Sequence, residues 1–152
     1  MNIASLQYNL NGVLEIYVSG CDGYCKGCHN EELWDFKIGR DYKEVLDEIH
    51  NLLKGYRDPR LLQIKQVWIM GGEPLLQNRE ELYDLLDHVG HYDGLELAIF
   101  TRFEELDLDP ELLSRCDFIK CGPYIEGDGY KLDGEIILRS KNQYILRKGI
   151  NY

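Results

Sequence analysis

The order of strand-like and helix-like segments constrains the fold of this chain most strongly. Four short runs rich in β-branched and aromatic residues are typical of buried strands, and they lie at residues 13–18, 66–70, 95–100 and 117–120. Amphipathic segments that are typical of helices follow Asp41, Asn78 and Asp109. Strands and helices that alternate at this spacing predict an α/β fold with parallel strands and right-handed crossovers.

Local signals mark the ends of the predicted helices. Asp41 and Asn78 are each followed three residues later by a glutamate, which matches the capping-box pattern at a helix amino terminus. Gly55 and Gly90 suit the carboxyl ends of the same two helices. Pro110 stands at the first position of a third, short helix, where a missing amide hydrogen costs nothing.

The alternation stops near the carboxyl terminus. Two apolar segments, 135–139 and 143–147, flank a polar tripeptide and predict either a terminal hairpin or two strands added to the sheet. A length of 152 residues fits one domain that buries its own core. We therefore expect a single domain over residues 1–152.

Composition and charge limit the setting and the partners. A net charge of −10 argues against a phosphate-binding surface, so no nucleic-acid partner is expected. Residues 1–12 lack the basic and apolar regions of a signal peptide, and no apolar run approaches the roughly 20 residues that span a bilayer. We expect a cytoplasmic protein without a membrane partner, in which clustered cysteines stay reduced and bind metal or take part in chemistry.

Four unusual segments follow the four predicted parallel strands. They are the cysteine-rich residues 20–30, the Gly-Gly-Glu-Pro sequence at 71–74, the pair at 101–102 and the Cys-Gly-Pro-Tyr sequence at 121–124. In parallel α/β folds, sites form at the carboxyl ends of the strands. The four segments are therefore predicted to meet at one rim of the sheet.

Three cysteines, Cys21, Cys25 and Cys28, lie close together without a fourth. A structural zinc site needs four ligands, and His29, which adjoins Cys28, is poorly placed to complete a tetrahedron. Residues 25–29 also match the C-x-x-C-H haem-attachment pattern, which would leave Cys21 unexplained. A 4Fe–4S cluster takes four ligands, so three thiolates would leave one iron open to a substrate.

The C-x3-C-x2-C spacing, followed one strand later by the Gly-Gly-Glu-Pro sequence, resembles the radical S-adenosylmethionine superfamily. The resemblance implies one radical S-adenosylmethionine domain over 1–152, with the fold of a partial, laterally open βα barrel. It implies that the three cysteines are the catalytic cluster ligands, and that the methionine end of S-adenosylmethionine binds the open iron. Glu73, with the backbone at Gly71 and Gly72, would hold the methionine ammonium group.

The same resemblance implies further cofactor contacts at Gly27, Cys28, His29, Thr101 and Arg102. Gly27 stands where many relatives carry an aromatic residue, so adenine is expected on the backbone of this segment or on the ring of Trp34. Thr101 and Arg102 lie where contacts to ribose or carboxylate are expected. Lys120 and Tyr124 belong to the same rim, and an ordinary surface role remains open for both.

Within the superfamily, the chain resembles the short activating enzymes of anaerobic ribonucleoside-triphosphate reductases. The similarity rests on YVSGC, CKGCHN, ELWDF, GGEPL, FTR, CGPY and RSKNQYIL. It implies reductive cleavage of S-adenosylmethionine by an electron from a flavodoxin- or ferredoxin-type donor, and a glycyl radical left on the partner reductase. The chain departs from many relatives at 8–12, where YNLNG replaces a Gly-Pro-Gly type segment.

Three alternative functions remain open at this point. The chain could activate another glycyl-radical enzyme, or act on a small molecule as the deazaguanine carboxylate synthases do. The third alternative is a non-catalytic iron–sulfur or zinc module that binds a partner. A laterally open sheet of about four βα units favours a large substrate, because so few units cannot close a barrel.

Two further groups of residues carry expectations. Cys116 and Cys121 flank an apolar strand and are expected to be small buried residues, with an auxiliary cluster as the alternative. Basic side chains at the rim predict either a local positive patch that docks an acidic partner or an ordinary solvated surface. These side chains are Lys26, Lys37, Arg40, Arg102 and Lys120.

Overall fold

A computed structural model describes residues 1–55 and 63–152. The strands are β1 (Asn2–Asn9), β2 (Val13–Val18), β3 (Arg40–Asp41), β4 (Gln66–Gly71), β5 (Glu96–Phe100), β6 (Phe118–Cys121), β7 (Lys131–Asp133), β8 (Ile136–Leu138) and β9 (Tyr144–Arg147). The α-helices are α1 (Tyr42–Leu53), α2 (Arg79–Gly90) and α3 (Pro110–Arg115). None of the helices within the described ranges is both long and apolar enough to cross a bilayer.

Seven of these strands form one mixed sheet in the spatial order β3-β1-β2-β4-β5-β6-β9. Its centre, from β2 to β6, consists of four parallel strands. β1 pairs antiparallel with β2 on one side, and β9 pairs antiparallel with β6 on the other. The predicted α/β class with parallel strands is confirmed, whereas the curvature of a partial barrel stays a prediction.

The helices begin at the residues that the capping patterns predict. The side chain of Asp41 accepts from the amide of Lys43, and that of Asn78 accepts from the amide of Glu81. Asp109 caps α3 in the same way, and Pro110 is the first residue of that helix. Each cap satisfies an amide that has no partner inside the helix, which contributes about 1 kcal/mol.

The amino-terminal strand β1 was missed by the sequence analysis. Its turn into β2 is closed by the side chain of Asn9, which accepts from the amides of Asn11 and Val13. Gly12 takes a left-handed conformation with φ of 80°. The Asn11-Gly12 pair is a strong hairpin signal that could have revealed β1.

The segments at 135–139 and 143–147 do not pair with each other, so the terminal-hairpin alternative is wrong. β8 pairs instead with β7 in a separate two-stranded hairpin, and β9 alone joins the main sheet. The side chain of Gln143 donates to the carbonyl of Gly122 and accepts from the amide of Ser140, which aligns β9 beside β6. These long-range bonds, rather than the local pattern, decide the pairing.

The two faces of the sheet have different environments. On one face, side chains such as Leu14 pack with Val45 of α1 and Leu85 of α2 in the main core. Each fully buried aliphatic side chain of this kind contributes about 1.5–3 kcal/mol. On the other face, Leu138 of β8 packs with Phe118 in a smaller cluster. The helices therefore cover one face, and the β7–β8 hairpin lies over part of the other.

Candidate functional site

A cavity of about 510 Å³ lies where the four unusual segments meet at the carboxyl ends of β2, β4, β5 and β6. It is lined by every predicted site residue except Gly27: Cys21, Cys25, Cys28, His29, Gly71, Gly72, Glu73, Thr101 and Arg102. Lys120 and Tyr124 also line it. Convergence at one rim, which the sequence predicts from the order of the strands, is confirmed.

The cysteine loop (residues 20–34) is held at both ends by the backbone. The amide of Gly20 donates to Leu33, and the amide of Cys21 donates to Trp34, at 2.7 and 3.1 Å. Tyr24 has a φ of 43°, and its ring packs edge-on against Trp34 with the centroids 5.1 Å apart. A left-handed conformation at a large side chain is uncommon, so the surrounding contacts hold this loop in a defined shape.

The three thiols of the loop are free and partly exposed to the cavity. The amide of Gly23 donates to Sγ of Cys21 at 3.3 Å, and the amide of Asn30 donates to Sγ of Cys28 at 3.4 Å. Hydrogen bonds of this kind stabilise negative charge on sulfur and tune iron–sulfur clusters. Backbone amides thus contact two of the three sulfur atoms, and at Cys21 this bond opposes the burial that raises the pKa of the thiol.

The thiols do not converge on a single point. Within residues 1–55 and 63–152, no three His, Cys, Asp or Glu side chains are grouped so that they could hold one metal ion. A 4Fe–4S cluster does not require such a group, because each of its thiolate ligands binds a different iron.

Gly71 and Gly72 are required by the packing of the backbone. A Cβ on Gly71 would lie 2.7 Å from the carbonyl oxygen of Val18, and one on Gly72 would lie 2.5 Å from that of Gly20. Gly71 also has a φ of 110°, which glycine tolerates without strain. The paired glycines therefore let β4 end directly against the start of the cysteine loop.

Glu73 is a buried carboxylate, 1% exposed, at the centre of the rim. One oxygen accepts from the amide of Leu75 and the hydroxyl of Thr101, and the other accepts from the amide of Arg102 at 2.8 Å. Burial raises the pKa of Glu73, and these hydrogen bonds oppose that rise. All three donors in the described part of the chain are uncharged groups, so the carboxylate lacks a hydrogen-bonded cation.

Gln77 is a site-forming residue that the sequence analysis missed. Its side-chain amide donates to the carbonyls of Ser19, Gly20 and Glu73 at 2.9, 3.4 and 3.1 Å. It thereby ties the start of the cysteine loop to the end of β4. No pattern in the sequence marks Gln77, because its role depends on the parallel pairing of β2 and β4.

Thr101 and Arg102 are committed to protein contacts. The hydroxyl of Thr101 donates to Glu73 at 2.7 Å, and it accepts from the amide of Phe103. The guanidinium of Arg102 donates to Asp22 at 2.6 Å. Both residues line the cavity, but in this structure they support Glu73 and the cysteine loop.

Lys120 and His29 add further polar groups to the lining of the cavity. The ammonium of Lys120 donates to the carbonyl of Gly122 at 3.1 Å, and burial lowers the pKa of this lysine to about 8. The ring of His29 packs edge-on against Tyr124 with the centroids 5.1 Å apart. The cavity thus holds a buried carboxyl group and a partly buried amine.

The predicted positive patch is largely neutralised. Lys26 pairs with Glu126 at 2.9 Å, and Arg40 pairs with Glu48 at 2.8 Å. Arg102 pairs with Asp22, as described above. Acidic partners accompany three of the five basic side chains, which leaves Lys37 and Lys120 from the predicted patch, and the docking of an acidic partner stays a prediction.

Cys116 and Cys121 lie outside the site. Both are fully buried in the main core, and burial raises the pKa of each thiol to about 12. The expectation that they are small buried residues is confirmed.

The lining of the cavity extends along the sheet face that the helices leave uncovered, and this extension is called the groove. Trp68 and Phe100 lie in its floor with their rings 4.8 Å apart, and Ile136 and Ile137 of the hairpin form one side. A second cavity of about 870 Å³ lies toward the other end of the strands and shares Trp68 and Ile136 with the first. It is larger, but its lining contains none of the cysteines and no Glu73, so the predicted site residues gather at the smaller cavity.

Comparison with known proteins agrees with this geometry. A family model described as a 4Fe-4S single cluster domain matches residues 11–146. The anaerobic ribonucleoside-triphosphate reductase-activating protein of Haemophilus influenzae is 27% identical over 138 residues, which cover 87% of this chain and 85% of that protein. The protein of the same name from Pasteurella multocida is 29% identical over 141 residues, with the same two coverages.

A third relative with this name, from Enterobacteria phage T4, is 29% identical over 72% of this chain and 69% of its own length. No solved structure matches the chain at a significant level. The resemblance to activating proteins of anaerobic ribonucleotide reductase is confirmed by these relatives and by the family model.

Replacement of Gly72 by alanine should disrupt the junction between β4 and the cysteine loop. Its Cβ would lie 2.5 Å from a backbone oxygen, so the free energy of unfolding should fall by about 1–3 kcal/mol. Gly90→Ala is the matched control, because the nearest atom to its Cβ is 3.7 Å away and alanine favours a helix. Urea unfolding measures both, and equal stability of the two variants would contradict the packing argument.

Proposed function

Because this chain belongs to the 4Fe-4S single cluster domain family, we propose that it is an activating enzyme that installs a glycyl radical on an anaerobic ribonucleotide reductase. One observation carries the proposal: three thiols face the same cavity as a buried carboxylate that has no hydrogen-bonded cation among the described residues. The curated relatives named as reductase-activating proteins cover most of the chain.

The loop residues fit a 4Fe–4S cluster. Cys21, Cys25 and Cys28 are its proposed ligands, because their thiols are free and line the cavity. Backbone amides already donate to two of the sulfur atoms. Three protein ligands leave one iron for a second cofactor.

The part of the cavity lined by Glu73 and Lys120 fits the amino-acid end of S-adenosylmethionine, the standard cofactor of such activating proteins. A buried carboxylate bonded only to neutral donors is stabilised by a cation, so Glu73 suits the ammonium group. Lys120 lies on the neighbouring side of the same cavity with a backbone carbonyl as its hydrogen-bond acceptor. It suits the carboxylate of the same zwitterion.

Cys21, Cys25 and Cys28 would hold the cluster, and Glu73 and Lys120 would hold S-adenosylmethionine. When bound, these groups would supply one-electron cleavage of the carbon–sulfur bond, with the electron from the external donor and methionine as the leaving group, and the radical chemistry that takes a hydrogen atom from a glycine of the reductase. The chain itself positions and shields these groups. Glu73 and Lys120 orient the zwitterion, while the edge-on pair of His29 and Tyr124 narrows the cavity beside the cysteine loop. A protein usually contributes to cofactor chemistry by orienting the reacting groups and by excluding water from them.

The groove along the open sheet face supports a macromolecular substrate. It runs from the cysteines over Trp68 and Phe100 and meets the second cavity beyond them. An extended segment of a partner can lie along such a trough, whereas a small molecule would be left uncovered on one side. The electron donor of the flavodoxin or ferredoxin type remains part of this proposal.

Removal of any one of Cys21, Cys25 and Cys28 by alanine substitution should abolish the cluster. The wild-type protein reconstituted without oxygen should hold about four irons per chain, as one 4Fe–4S cluster requires. Iron analysis and visible absorption measure the loss. The matched control replaces Cys116 and Cys121 together, and a loss of iron in that double variant would reveal an auxiliary cluster instead.

Glu73→Gln should weaken the binding of S-adenosylmethionine by on the order of 1.5–3 kcal/mol, because a charged hydrogen bond is lost. Iron content should survive. Calorimetric titration of the reconstituted protein measures the affinity. Thr101→Val is the control, since it removes one donor to Glu73 but keeps its charge, and it should weaken binding less. Unchanged affinity in a folded Glu73→Gln protein would exclude Glu73 from the site.

The decisive experiment combines this protein, S-adenosylmethionine, a reductant and the anaerobic reductase of the same source without oxygen. Electron paramagnetic resonance should show the doublet of a glycyl radical on the reductase, and Cys25→Ala should abolish it. If 5′-deoxyadenosine forms without a glycyl radical, the reductase assignment is wrong and another substrate must be sought. If neither forms, the chain is a binding module.

A further inference from the structure

We propose that Arg102 is a positioning residue: it holds the cysteine loop against the end of β5 through Asp22, and its positive charge raises the reduction potential of the bound cluster. The inference rests on the cluster in the proposed function and not on the identity of the reductase. It gives Arg102 a role other than the ribose or carboxylate contact that the superfamily resemblance implies.

An ion pair joins the two segments. Nη2 of Arg102 lies 2.6 Å from Oδ1 of Asp22, which directly follows Cys21 in the loop. The side chain of Arg102 is 30% exposed and that of Asp22 is 60% exposed. An exposed ion pair contributes only about 0–1 kcal/mol by itself, so the pair acts as a latch only if Arg102 is fixed by other contacts.

Other contacts do fix Arg102. Its amide donates to the buried carboxylate of Glu73 at 2.8 Å, which anchors the backbone. Its guanidinium carbon lies 4.6 Å from the centre of the Phe103 ring, in the geometry of a cation–π contact. These two contacts limit the rotation of the Arg102 side chain independently of its ion pair with Asp22.

The side chain of Arg102 lies directly against the cysteine loop. A Cβ on Gly23 would approach Cδ of Arg102 to 3.0 Å, Nε to 3.1 Å and Sγ of Cys21 to 3.4 Å. Gly23 thus allows the arginine to pack beside the first of the three cysteines. The contact also explains why a glycine stands between Cys21 and Tyr24.

One nitrogen of Arg102 is a hydrogen-bond donor without an acceptor among the described residues. Nε is buried and has no hydrogen-bond partner among the described residues. A buried donor without a partner is costly, and it lies beside a thiol that we assign to the cluster. A sulfur atom of the cluster would supply an acceptor for this donor.

The charge of Arg102 should act on the cluster more strongly than that of Asp22. Asp22 is twice as exposed, so water and salt screen its charge more. A nearby positive charge stabilises the reduced cluster, which carries one more electron. Loss of this charge should therefore make the cluster harder to reduce.

The test uses three variants of the reconstituted full chain. Arg102→Met removes the charge but keeps a long side chain, Arg102→Lys keeps the charge but loses the planar fork, and Asp22→Asn removes the opposite charge. Arg147→Met is the matched control. Arg147 of β9 forms a similar ion pair with Asp133 of β7 at 2.7 Å, and this pair lies away from the cysteines. Circular dichroism confirms that each variant folds.

Two measurements separate the two parts of the proposal. Hydrogen exchange of the loop amides in the iron-free protein should speed up in all three variants and stay unchanged in Arg147→Met. In Arg102→Met the reduction potential of the cluster should fall by about 59 mV, which is a tenfold change in the equilibrium constant for one-electron reduction. It should stay close to wild type in Arg102→Lys and should not fall in Asp22→Asn.

The direction of the potential shifts is the decisive outcome. Equal falls in Arg102→Met and Asp22→Asn would mean that loop order alone sets the potential, which overturns the electrostatic part. Unchanged hydrogen exchange of the loop amides would mean that the ion pair between Arg102 and Asp22 does not hold the cysteine loop. An unchanged potential with weaker binding of S-adenosylmethionine in Arg102→Met would make Arg102 a cofactor ligand instead. If wild type forms no cluster, the proposed function fails, while the exchange measurement still tests the latch.

Discussion

The buried carboxylate of Glu73 is the interaction on which the rest of the rim depends. Its removal from water is costly, and the cost is offset by donors from two different segments: the amide of Leu75, and the hydroxyl and amide at Thr101 and Arg102. The end of β4 is thus joined to the end of β5 by one side chain. The backbone amide of Glu73 also donates to Gly20 at 2.8 Å, which adds the end of β2.

This arrangement makes the cysteine loop and the Gly-Gly-Glu-Pro sequence one structural unit. Gly72 approaches Gly20 so closely that no Cβ fits, and Gln77 donates to the carbonyl of Ser19 at 2.9 Å. A displacement of either segment must therefore displace the other. The two motifs thus support each other's geometry through direct backbone contacts.

The sequence predicts those features that depend on neighbouring residues or on the order of elements. Caps at Asp41 and Asn78 are local, and convergence of the four segments follows from parallel strands. The partner of β9 and the hydrogen bonds of Gln77 and Thr101 could not be predicted, because they depend on register and on contacts between distant segments. The sequence places the cysteines and Glu73 at one cavity because both segments follow parallel strands.

The charges inside the cavity give the site its chemical preference. Glu73 follows β4 and Lys120 belongs to β6, with β5 between these strands, and both side chains line the same cavity while their printed hydrogen bonds go to other groups. Burial raises the pKa of Glu73 and lowers that of Lys120, which means that both charged forms are under-solvated. A ligand with an ammonium and a carboxylate on one carbon would satisfy both groups at once. Neither an anion nor a cation alone can do so, and this is the charge argument for the zwitterion in the proposed function.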